Sequence, residues 1–104
     1  MIENLQIRLG TVAPYFYEMT VNADPNGFLD PLAVTSARIE VLKPDGNRSF
    51  WAATVYAQGA LAVVIRAPLL LGYLDQLNKY QTWARVTVPT GEIVSLPKTI
   101  VVVP

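Results

Sequence analysis

V-T-S-A-R-I-E-V-L-K-P-D-G-N-R-S-F-W-A-A-T-V-Y, residues 34–56, sets the period of the chain. Ala37, Ile39 and Val41 alternate with Ser36, Arg38 and Glu40. Alternation at a period of two belongs to a strand with one face buried. Pro44-Asp45-Gly46-Asn47 then supplies turn residues, with proline presetting φ and glycine free to take positive φ. Beyond it Trp51, Ala53 and Val55 share a face, so the stretch predicts a hairpin with Trp51 turned inward.

The same rhythm extends both ways. Leu5, Ile7 and Leu9 alternate with Asn4, Gln6 and Arg8, and Tyr15, Tyr17, Met19 and Val21 fall opposite Phe16, Glu18 and Thr20. Leu61, Val63 and Ile65 form the expected inner face of Ala60 to Arg66. Downstream, Gln81 to Val88, Ile93 to Leu96 and Thr99 to Val103 read as strands, separated by Pro89-Thr90-Gly91 and Pro97. One segment departs from the rhythm: in Pro68 to Tyr80, Leu70, Leu74 and Leu77 have helical spacing, which predicts a helical turn or two in a crossover loop. About seven short antiparallel strands in one domain, residues 1–104, match an all-β sandwich of immunoglobulin-like type, with a small barrel as the alternative.

Composition bounds the function. The 104 residues are 52% hydrophobic and 15% charged, with zero formal net charge, against roughly 25% charged for a typical soluble domain. A domain of this size cannot bury all such residues within itself, and what stays outside is commonly buried against a neighbour. Neutrality also removes the repulsion that keeps monomers apart. The eight Lys and Arg are scattered, with none of the clustering that nucleic acid demands. Cysteine and histidine are both absent, which removes disulfides, thiolate metal sites and the commonest general base. Asp24 to Asp30 is rich in oxygen ligands but lacks the order of a calcium loop, since glycine is fourth and residue 35 is Thr. Ser36, Ser49 and Ser95 have no histidine to activate them. The expectation is a non-enzymatic protein without cofactor or metal. No apolar run approaches the ~20 residues of a membrane span, and Met1 to Gln6 lacks the basic and apolar regions of a signal peptide.

Three places concentrate the surplus apolar surface. If Ala84, Val86 and Val88 face the core, Trp83 faces outward beside Arg85, the composition of an interface hot spot; a strand covered on both faces is the other reading. Leu69-Leu70-Leu71-Gly72-Tyr73-Leu74 needs some side chains to cap the core and leaves two or three, with Leu69, Leu71 and Tyr73 as candidates, for another subunit. The last strand, with Val101 and Val103, is β-branched and uncharged; it is either a covered strand or an edge open to pairing with another chain. Tyr80, five residues after Asp75, stands where sandwiches place a tyrosine whose hydroxyl pins a long crossover, or else packs at the core edge.

Leu32 to Gly46, L-A-V-T-S-A-R-I-E-V-L-K-P-D-G, resembles immunoglobulin-like structural domains of tailed bacteriophages, notably the N-terminal domain of baseplate upper proteins. Those domains show an acidic turn, a D-L-T-x-A-x-I/V-x-V strand, a D-G hairpin, and later an Asp, an aromatic and a glycine turn. The matching elements are Asp24 to Asp30, Leu32 to Val41, Asp45-Gly46, Asp75 to Trp83 and Thr90-Gly91. The pattern departs where Lys79 replaces a glycine and where the crossover at 67–79 is longer. The resemblance implies a virion structural protein of baseplate, neck, tail or capsid surface, made in the host cytoplasm. Its partners would be copies of itself and other virion proteins, with neither nucleic acid nor membrane among them. The alternative is a module binding a host-surface glycan, with Trp83, Tyr80 and Tyr73 as a stacking platform.

Overall fold

The computed structural model describes residues 4–10, 15–23, 30–89 and 91–104. Its elements are β1 (Asn4–Arg8), β2 (Phe16–Asn22), a 3₁₀ helix (Pro31–Ala33), β3 (Ser36–Leu42), β4 (Arg48–Gln58), β5 (Ala62–Pro68), β6 (Asn78–Val88), β7 (Gly91–Val94) and β8 (Lys98–Val103). No described helix is long and apolar enough to cross a membrane.

The strands follow the order β1-β8-β6-β3-β4-β5-β2, with β7 also on β6. β4 joins the two wings of this curled sheet. Ala53 to Arg48 pair with β3, whereas Thr54 to Gln58 pair with β5, and the register shifts between Val55 and Ala57. Such a bulge sharpens the local twist and bends the strand, so the sheet curls on itself as a half-barrel. β6 is long enough to pair with β3 along one edge and with both β8 and β7 along the other.

The alternation read from the sequence places the core. Tyr17, Met19, Val21, Ile39, Val41, Trp51, Val63, Ile65, Ala84, Val86, Ile100 and Val102 are buried among the inward side chains. Trp51 lies between two tyrosines, stacked on Tyr73 at 4.9 Å and edge-on to Tyr17 at 5.9 Å. Tyr17 and Thr82 hydrogen-bond at 2.7 Å across the core, and Thr82 Oγ1 reaches the Lys98 carbonyl at 2.9 Å. Thr82 has a single hydroxyl hydrogen; with that hydrogen on the carbonyl, Tyr17 is the donor to Thr82. This relay links β2, β6 and β8.

Several expectations are corrected. All-β holds, with eight strands among the described residues, and β1 runs parallel to β8. No helical turn forms in the crossover. Leu69 is drawn into the ladder by the bond from its N–H to the Tyr15 carbonyl, and Tyr73 N–H closes a turn on Leu70. Gly72 takes φ +89°, as the third residue of a type II turn requires, and this ends any helical run. Tyr15 precedes β2 and is exposed, and Leu61, beyond the pairing of β5, is 82% exposed rather than inward. The Asp24–Gly27 turn and Thr90 lie outside the described residues.

Burial pushes the Tyr17 phenol up to about 12. The unfolded phenol ionises near 10, so stability present below pH 10 is lost as pH rises from about 10 towards 12. Tyr17→Phe is expected to cost about 1 kcal/mol at neutral pH and to reduce the alkaline slope, leaving the part that buried Tyr80 contributes. Urea denaturation at pH 7 and at pH 11 measures both.

Candidate functional site

Four of the seven expected contact residues lie on one outer face, formed by β8, β6, β3 and the first half of β4. Trp83 and Arg85 project from β6, Val101 and Val103 from β8, and all four are half-buried. The ladder explains the covering of Trp83. Its direct neighbour across the strands is Glu40, which in turn faces Phe50. Arg48 lies across the indole ring at 5.5 Å and Arg38 across the Phe50 ring at 4.3 Å.

Between those aromatic groups Glu40 is only 6% exposed, although it points to the outer side. Arg48 and Arg85 both bond its carboxylate, the Arg85 Nε contact at 2.7 Å. Arg38 and Arg85 stand directly opposite each other, a placement that would repel. Glu92 from β7 resolves it by accepting from Arg85 at 2.7 Å and from Arg38 at 3.3 Å. Burial pushes the Glu40 carboxyl up, but the hydrogen bonds and charges of Arg85 and Arg48 outweigh this and hold it below its ordinary value. The Arg85 hydrogen bond holds Glu92 down as well, against a smaller opposing effect of burial. Arg85 is therefore committed to two carboxylates within its own chain.

The other three candidates separate. Leu69 is 1% exposed and belongs to the core, so it offers no surface to a partner; its backbone bond to Tyr15 turns it inward. Tyr73 is half-buried and spends its ring on Trp51. Leu71 projects at the tip of the turn, 92% exposed. The last strand is not an edge: β8 is paired with β1 on one side and β6 on the other, the covered strand of the two alternatives, which leaves only the side chains of Val101 and Val103 to meet a partner.

Around Leu71 the structure assembles an apolar end. Gly10 N–H bonds the Leu74 carbonyl, Leu69 N–H bonds the Tyr15 carbonyl, and Phe16 pairs with Pro68. These contacts bring exposed Leu9, Tyr15, Phe16 and Leu70 to the end that carries Leu71. The end is also braced. Lys43 Nζ bonds Asp75 at 3.0 Å and the Gly72 carbonyl at 3.4 Å, while Gln76 both accepts from Asp45 N–H and donates to its carboxylate. Tyr80 Oη accepts from Gln76 N–H at 2.9 Å, so its hydroxyl pins the crossover to the start of β6. Sequence reading found Leu71 but not Tyr15 or Leu9, which continue the apolar alternation of β2 and β1 although each lies just past a strand end.

Among the described residues no group of three or more Asp or Glu is close enough to hold a metal ion. No family model matches the chain, and neither the curated proteins nor the solved structures contain a match.

Glu40→Gln leaves Arg48 and Arg85 without their shared charge and is expected to cost about 1–2 kcal/mol at pH 7. A depressed carboxyl stabilises the fold above the ordinary carboxylate range, and that stability is lost as pH falls through the folded value. The wild-type protein should thus weaken on acidification below about pH 5, and the variant should show a flatter acid limb in denaturation midpoints taken from pH 7 to pH 3.

Proposed function

We infer that the chain is a non-enzymatic building block of a bacteriophage particle, present in several copies at the baseplate, neck, tail or capsid surface. The observation that carries this reading is the braced apolar end, where Leu9, Tyr15, Phe16, Leu70 and Leu71 are exposed together. An apolar patch held in place by these backbone and side-chain bonds suits burial against a neighbour. An immunoglobulin-like sandwich is the fold we assign to it. β3–β6–β8 and β2–β5 correspond to pairings within the two sheets of that architecture, and the Tyr80 hydroxyl bond corresponds to its tyrosine corner. The resemblance of residues 20–103 to phage structural domains supplies the particle.

The glycan-binding alternative loses its platform. Tyr80 is buried and Tyr73 is stacked on Trp51, which leaves Trp83 alone of the three.

Leu71 is 92% exposed and Leu70 47% exposed, so Leu70→Ser with Leu71→Ser should cost folding no more than about 1 kcal/mol. The expected outcome is loss of the chain from particles assembled by the genome that encodes it, read by mass spectrometry of purified virions. Normal incorporation of the double variant, or absence of the wild-type chain from particles, would sink the reading.

A further inference from the structure

β2 ends the strand order, and among the described residues its outer edge has no partner. Two backbone bonds fix which of its groups face that edge. Leu69 N–H bonds the Tyr15 carbonyl, and Ala23 N–H bonds the Leu61 carbonyl. Residues of an antiparallel strand alternate between bonding the partner strand and bonding away from it. Tyr17, Met19 and Val21 therefore share the orientation of Tyr15 and Ala23 and bond β5. The N–H and C=O groups of Phe16, Glu18, Thr20 and Asn22 point to the open edge. Pro68, which has no N–H, stands opposite Phe16, where the ladder asks for no bond.

Edge strands are commonly guarded by lysine, proline, a bulge or an inward charge. β2 has none of these. Its sequence is F-Y-E-M-T-V-N, and its register with β5 runs unbroken from Phe16 to Asn22. Its one charge, Glu18, is on the outer face and is held by Arg66. Arg66 in turn lies against the rings of Phe16 and Tyr56.

We propose that β2 pairs antiparallel with β2 of a second copy, about a two-fold axis through Met19, joining the two curled sheets edge to edge. This deepens, and rests on, the reading of the chain as a multi-copy component. The register follows from the residues. Centring on Met19 sets Phe16 against Asn22 and Glu18 against Thr20 of the second copy, and every outward N–H and C=O in the strand finds a partner. A shift that centres on Glu18 puts two carboxylates face to face, which is repulsive. A shift that centres on Thr20 leaves Phe16 unpaired. One register thus satisfies both backbone and charge, and it is self-complementary as a two-fold interface must be.

Sedimentation velocity of the full chain over a concentration series tests the pairing, with circular dichroism to verify folding. The wild type should dimerise. Thr20→Pro deletes an N–H aimed at the open edge, where a folded monomer tolerates proline, and should be monomeric. Thr20→Glu places a carboxylate against Glu18 of the second copy and should weaken the dimer about tenfold over two symmetric pairs. Thr20→Lys puts an ammonium there and should match or exceed the wild type. A monomeric wild type, or a dimer indifferent to Thr20→Pro and Thr20→Glu, overturns the pairing. If Thr20→Pro incorporates into particles while the wild-type dimer proves indifferent to it, the edge fails and the particle role stands. If the Thr20 series behaves as expected but virions lack the chain, the pairing stands and the particle role falls.

Discussion

β4 belongs to two pairings at once, and the rest of the molecule follows from that. Its first half is held by β3 and its second half by β5, with the register slipping between Val55 and Ala57. A strand that must satisfy neighbours in two directions bends, and the bend brings β2 within reach of β6. The Tyr17–Thr82–Lys98 relay then binds the two wings with buried hydrogen bonds. Such bonds gain strength from the low dielectric of the core and penalise any arrangement that leaves them unmade. Trp51, on the inner face of the bending strand, fills the space so enclosed with Tyr17 and Tyr73 against it.

The distribution of charge follows from the same curvature. With few ionic groups available, the chain spends them on internal tasks. Glu40 and Glu92 neutralise arginines that the ladder forces together, Glu18 holds Arg66, and Lys43 with Asp75 braces the crossover. Arg38, Arg48 and Arg66 also lie over aromatic rings, so much of the cationic surface covers apolar surface of its own chain. The apolar end around Leu71 contrasts with this, since Leu9, Tyr15 and Leu71 stay exposed there.

Strand identity was legible because inward and outward side chains alternate without regard to which strand lies alongside. Ala37-Ile39-Val41 and Ala84-Val86-Val88 could be assigned their faces from period alone, and both assignments hold. Partnership was not legible. Nothing in Thr99 to Val103 says that β1 returns to cover it, and nothing in F-Y-E-M-T-V-N marks it as the edge. Burial of Glu40 depends on Phe50 and Trp83 arriving from two other strands, information that no single segment contains. The leucine run split according to one backbone bond, Leu69 to Tyr15, and the helical spacing of Leu70, Leu74 and Leu77 carried no weight against Gly72 at positive φ.

The parallel pairing of β1 with β8 sets Asn4 beside Thr99. During synthesis β1 waits for its partner until nearly all the chain described here has left the ribosome, at roughly 5–20 residues per second. For several seconds the nascent chain holds an unpaired β1, whereas the edge of β6 that β8 covers is bare only for about a second before β8 emerges. Contacts of such long sequence separation also make for slow folding, because the entropy of closing the loop is lost before the pairing rewards it. A cell making many copies at once would hold a pool of nascent chains with open strands at high local concentration, where unpaired edges are prone to associate.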